Sequence, residues 1–336
     1  MSRATIPDET SPMGGLDALR VGGALLVTAF HASVLTSHEG WTSFRSLDMG
    51  QVGVAVFLGI SALLGSTSRR RPVPWLVQRL RRLFPVYWIV MIASFLVAWV
   101  TGYKRFTAGQ VVSQMLGLGL FTHPERSLIN SATWFITLLL VCYVCLFFAR
   151  LMNRPLLVPL LLLLFSIASF AGLTDRLWAY GRDWSWMHCI TFFASTVLAT
   201  ACPPDRRMQG FLAAGAVVLL GTPFSIAFFC TGITLFLIGA SLAIPEVPRR
   251  IHTLASYTYE YYLIHGLFLI GTTRALRGHP ALAVASGVLL ASLASVPLQK
   301  IVRYPWAALL SDLRTRYLSS RRRVHGPPAV SSLSEP

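Results

Sequence analysis

LDALRVGGALLVTAFHASVLTS, residues 16–37, is the stretch whose reading decides the fold. It is long enough to cross a bilayer as a helix, which takes about 20 mostly apolar residues. Within it, Arg20 and His31 stand eleven residues apart. At ~1.5 Å and ~100° per residue, they lie about 16 Å apart along the axis and within about 20° of the same face. A guanidinium near one membrane face and an imidazole near the middle therefore point the same way. Ionisable groups inside a span are costly and are by default candidates for function.

Composition extends this reading to the whole chain. Its 336 residues are 54% hydrophobic and only 12% charged, where a soluble domain carries about 25% charged residues. Apolar runs recur from end to end, so the chain reads as a single all-α, multi-pass transmembrane helix bundle. The net charge of +16 raises the possibility of nucleic acid. The basic residues sit in short loops between apolar runs, however, which is the pattern of membrane topology and gives no reason to expect a nucleic-acid partner. The five cysteines fit no zinc spacing. No Walker loop, Rossmann glycine pattern or metal-ligand cluster occurs, so no metal is expected.

Ten spans are expected, at 16–38, 50–68, 83–101, 132–150, 155–173, 186–203, 208–222, 224–243, 254–273 and 281–304. The first reads as a retained span and not as a signal peptide, because no small-residue cleavage site follows it. The run GQVVSQMLGLGLF, 109–121, is short and polar and reads as an interfacial or re-entrant helix. On that count 20 basic residues lie on the side of the termini and 8 on the other, with Arg20 inside a span. The bias places both termini in the cytoplasm. The domain expected is 13–310, flanked by a disordered N-terminus, 1–12, and a disordered basic cytoplasmic tail, 318–336, suited to contact with anionic membrane lipids.

Five segments carry polar residues that topology alone does not require. Arg20 and His31 have a structural reading, snorkelling and a helix–helix hydrogen bond. They also have a functional one, with Arg20 binding an anion from the cytoplasm and His31 taking a proton from a nucleophile. RRRPVPWLVQRLRRLFP, 69–85, reads as the loop after the second span and holds six arginines. Arg79 and Arg82 share a helix face there and suit either lipid phosphate or a phosphorylated cosubstrate. GVAVFLGISALLG, 53–65, places Gly53, Gly59, Ser61, Ala62 and Gly65 where a neighbouring backbone or a narrow ligand can approach. SYTYEYYLIHG, 256–266, puts Glu260 and His265 into one span, as a structural pair or as part of a site. Trp134 and Tyr143 lie in SATWFITLLLVCY, 131–143, where Trp134 also fits an interfacial anchor.

These segments together resemble the acyltransferase-3 family of integral membrane O-acyltransferases. The first span is similar to that family's Arg, ten residues, His pattern, matched by Arg20 and His31. GVAVFLGISA resembles its Phe/Ser/Gly segment at Phe57 and Ser61, with Ala62 in the place of the glycine. RLRRLFPVYW is similar to its Arg-x-x-Arg segment at Arg79 and Arg82. WFITLLLVCY and SYTYEYYLIH resemble its later segments at Trp134, Tyr143, Tyr262 and His265.

The resemblance implies transfer of an acyl group, with acetyl the expected one, from cytoplasmic acyl-CoA to a hydroxyl of a carbohydrate or glycosylated metabolite at the cell membrane. His31 would be the general base, with Arg20, His265 and Ser61 the other catalytic candidates. Arg20, Arg79, Arg82, Phe57 and Ser61 would bind the acyl-CoA. Trp134, Tyr143 and Glu260 would contact the acceptor. The alternative is a transporter or flippase for an anionic lipid-linked sugar using the same arginines and histidines; the lack of an inverted hydropathy repeat weighs against it. The topology makes a direct prediction. Reporter fusions after Arg82 and after Arg154 should both report cytoplasm, and opposite locations would remove the ten-span count.

Overall fold

The computed structural model describes residues 14–36, 49–102, 105–122, 128–170, 182–223 and 225–301. The expected disordered segments 1–12 and 318–336 lie outside the described residues. Among the described residues the regular structure is helical, without strands. A helix lies on each of the ten apolar segments: α1 (Gly14–Thr36), α2 (Met49–Ser66), α3 (Pro72–Thr101), α6 (Trp134–Leu151), α7 (Leu157–Phe170), α8 (Arg182–Ala201), α9 (Arg207–Leu219), α10 (Ile226–Leu242), α11 (Arg249–Ala275) and α12 (Pro280–Ile301). Two short helices, α4 (Ala108–Met115) and α5 (Gly119–Thr122), lie between α3 and α6. Among the described residues, α1, α2, α3, α6 and α12 are long and apolar enough to cross a membrane. Ile92, Leu96, Val97, Trp99 and Val100 of α3 stay exposed, as a lipid-facing surface requires.

The run 109–121 forms no long helix. Thr107 opens α4 with a capping box shared with Gln110. The chain then turns at Gly117, whose φ of +74° favours glycine. Tyr87 of α3 donates to the Gln114 carbonyl, and Trp88 Nε1 donates to the Met115 carbonyl at 2.9 Å. So the short helix is pinned against α3.

The second difference concerns the arginine-rich stretch. The third span was expected to begin at 83, with Arg79 and Arg82 in a loop. Instead α3 is continuous from Pro72, because Arg71 is extended and proline suits the first helical turn, where no donor is needed. It ends at Gly102, a left-handed C-cap. Arg79, Arg81 and Arg82 therefore project from a helix that continues into the bundle.

Close helix crossings come from glycine. A Cβ on Gly53 would lie 2.5 Å from the Gly23 carbonyl oxygen, so α1 and α2 cross there with backbones nearly touching. A Cβ on Gly50 would meet Phe30, so the two helices run antiparallel. Gly59 faces α8 and α10, and Gly65 faces Leu146 and Trp75. These small residues pack helices on several sides, and only Ser61 of that segment's small residues reaches the cavity described below.

α1 lies between α2 and α11 and runs parallel to α11. Asp17 pairs with His252, Thr28 with Tyr261 and His31 with His265, in the same order along both helices. Arg150, counted from sequence as topological charge, closes the far end of α2. Its guanidinium donates to the carbonyls of Gly65 (3.0 Å), Ser68 (2.9 Å) and Arg70, and lies 5.1 Å from the centre of the fully buried Trp75 ring. A cation there satisfies carbonyls that the helix end leaves without donors. Arg150→Met should therefore cost about 1.5–3 kcal/mol, read as a lower melting temperature in detergent. An unchanged melting temperature would remove the capping role.

Candidate active site

The site is built from four helices and the first turns of α1. Arg20 of α1, Phe57 and Ser61 of α2, Arg79, Arg82 and Leu83 of α3, Phe135, Leu139 and Tyr143 of α6, and Tyr259 and Tyr262 of α11 line one open cavity. Helical spacing explains the grouping. Phe135, Leu139 and Tyr143 recur every fourth residue on α6, and Arg79 and Arg82 are one turn apart on α3.

Three guanidiniums converge on this cavity. Arg20 is paired: its Nη1 donates to Asp17 Oδ1 at 2.7 Å, and Asp17 Oδ2 takes His252 Nδ1 at 2.8 Å. Arg79 Nε is buried without a hydrogen-bond partner among the described residues. Its guanidinium carbon lies 5.9 Å from the Trp75 ring centre. Three clustered cations, of which Arg20 and Arg79 are partly buried, with one carboxylate beside them favour an anion in the space they share.

His31 and His265 do not line that cavity; they meet each other. His31 Nδ1 and His265 Nε2 are 2.8 Å apart, with ring planes 7° from parallel. His265 is 1% exposed, and its Nδ1 lies 2.6 Å from the Tyr262 carbonyl oxygen. A carbonyl only accepts, so His265 Nδ1 carries a proton. Neutral His265 then has a bare Nε2, which must accept from His31 Nδ1–H. Neutral His31 is left with its lone pair on Nε2, which has no partner among the described residues. The chain Tyr262 C=O, His265, His31 thus fixes one tautomer and leaves one basic nitrogen free.

Trp134 and Glu260 sit outside the cavity. Trp134 packs its ring 5.6 Å from that of His188, whose Nε2 is 2.8 Å from Gln51 Oε1. Glu260 is buried on α11 and does not line the cavity. Tyr143 and Ser61 line it, so the acceptor candidates Trp134, Tyr143 and Glu260 do not form one group.

The sequence reading passes over Asp17, His252, Tyr259 and the His188–Gln51 pair. Asp17 carried a signal, since it stands three residues before Arg20 on the same helix face. His188 carried one too, as an imidazole in an apolar segment. His252 and Tyr259 are legible only from how α11 packs on α1 and α3.

No curated protein and no solved structure matches the chain. The model of the acyltransferase-3 domain, described as an acyltransferase domain, matches residues 13–300. Those residues contain α1 to α11, nearly all of α12 and every residue placed above, so the chain belongs to the acyltransferase-3 family and is an acyltransferase built on helices fit to span a membrane.

Proposed function

We propose that this acyltransferase moves a short acyl group from cytoplasmic acyl-CoA to a hydroxyl of a carbohydrate or glycosylated metabolite, with His31 as general base. The observation that carries the reading is the His31–His265–Tyr262 chain, which leaves His31 Nε2 as a lone-pair acceptor. A nucleotide cosubstrate bears several phosphate charges. Arg20, Arg79 and Arg82 around the cavity are suited to receive them. The thin pantetheine arm would run past Ser61 and Phe57 toward the histidines. Arg20 and His31 are about 16 Å apart along α1, a distance such an arm can span.

In the transfer step, His31 Nε2 takes the proton of the acceptor hydroxyl as its oxygen attacks the thioester carbonyl carbon. His265 Nε2, still accepting from His31 Nδ1–H, stabilises the imidazolium. The tetrahedral intermediate collapses with cleavage of the C–S bond. The CoA sulfur leaves with the electron pair and receives the proton from His31, giving ester and free thiol. His31 lies five residues before the end of α1, toward the end opposite Arg20. That position favours an acceptor entering from the side opposite the donor.

The parallel run of α1 and α11 supports the ten-span count, and the excess of basic residues on the side of the termini supports their cytoplasmic location. Two parallel spans have an odd number of crossings between them, and α1 and α11, the first and ninth, have seven in the ten-span count. The count works when 109–121 does not cross and fails when it does.

Two predictions follow from these assignments. His31→Ala should lower kcat about 10²–10⁴-fold while acyl-CoA still binds. If His31→Ala turns over normally and His265→Ala is dead, the base belongs to α11. If both are fully active, binding without chemistry, as in a transporter, replaces the reading. Arg82→Ala should weaken acyl-CoA affinity about tenfold or more, the value of one charge-assisted contact. Unchanged affinity in a titration of the folded variant would remove Arg82 from the donor site.

A further inference from the structure

The cavity has a floor, and three aromatic rings make it. α2 runs antiparallel to α1, so Phe57 lies farther than Ser61 from the Arg20 end. α11 runs parallel to α1, so Tyr262 is its lining residue farthest from that end. On α6, Phe135 stands at the far end of the stripe that begins at Tyr143 and Leu139 near the arginines. The deepest lining residue of each of these helices is thus aromatic.

The three rings form a closed triangle. Centroid separations are 6.2 Å for Phe57–Phe135, 6.0 Å for Phe57–Tyr262 and 5.2 Å for Phe135–Tyr262, all with tilted or edge-on geometry. Immediately past them lies His265, whose ring is 5.7 Å from that of Tyr262 and whose Nδ1 meets the Tyr262 carbonyl. Tyr262 is held at both ends, because its hydroxyl also donates to the Ala132 carbonyl at 3.1 Å. Phe57 and Phe135 have no such tether. They are the members that can yield to a group passing from the arginines to the histidines.

We propose that Phe57, Phe135 and Tyr262 act as a size filter for the acyl group. This inference rests on the acyl-CoA reading above. A two-carbon acyl group lodges between the rings with its carbonyl carbon directed at the histidines. A longer chain must displace Phe57 or Phe135 against the tethered Tyr262. The same triangle stands between the cavity and the two histidines.

The test is the affinity of the full chain in detergent for acetyl-CoA, butyryl-CoA and octanoyl-CoA, by titration with each. The native protein should bind acetyl-CoA most tightly. Each methylene in a fitted pocket is worth about 10-fold or more in discrimination. Phe135→Ala should therefore raise the butyryl-to-acetyl affinity ratio about tenfold or more, and Phe135→Leu, which keeps most of the packing, should raise it less. Leu139→Ala, one turn nearer the arginines, should leave the ratio unchanged. A purely structural role for Phe135 would weaken every donor alike. Ratios that stay constant in Phe135→Ala and Phe135→Leu while acetyl-CoA still binds would overturn the filter and leave the donor site standing. A native protein that binds none of the three acyl-CoAs would overturn the donor reading and the filter with it.

Discussion

Three polar contacts between α1 and α11 set the register on which the rest of the site depends. Asp17 meets His252 at one end, Thr28 donates to Tyr261 between, and His31 meets His265 at the other. In a low-dielectric interior an unmatched polar group is expensive, so a one-residue slip that broke these pairs would be strongly opposed. Apolar packing between two such helices tolerates many alignments. The polar pairs select one, and the Gly23–Gly53 crossing then fixes where α2 presents Phe57 and Ser61.

The same register separates two kinds of electrostatics. At the Asp17 end, three guanidiniums share a cavity and their charge exceeds that of the one carboxylate bridging Arg20 and His252. That end attracts anions. At the His31 end, among the described residues, no cation or carboxylate pairs with the two imidazoles, which meet each other and a backbone carbonyl. That end is suited to moving a proton. Between them stand aromatic rings. The cationic groups and the paired imidazoles thus stand apart along two parallel helices.

Much of this was legible because helical periodicity is a strong constraint. The eleven-residue spacing put Arg20 and His31 on one face, and both do turn toward α11 or the cavity beside it. The ten apolar segments each became a helix, and 109–121 stayed short because Gly117 breaks it. The start of α3 was misjudged for a local reason. Pro72 and Pro74 look like loop residues in sequence, yet at a helix start they cost nothing. Asp17 was passed over because it sits at the edge of an apolar run, where an acidic residue reads as solvent-facing. Trp134 has the right neighbours in sequence and packs instead on His188, a contact made across 54 residues of chain. Such pairings depend on tertiary arrangement that no local pattern encodes.

The central claim is that His265 fixes the tautomer of His31 and frees its Nε2. The most direct measurement is ¹⁵N NMR of the imidazole nitrogens in histidine-labelled protein, assigned with single-histidine variants. The account predicts a protonated Nδ1 and an unprotonated Nε2 on His31, a protonated Nδ1 on His265, and scalar coupling between His31 Nδ1 and His265 Nε2. A proton on His31 Nε2, or no coupling between the two rings, would contradict it.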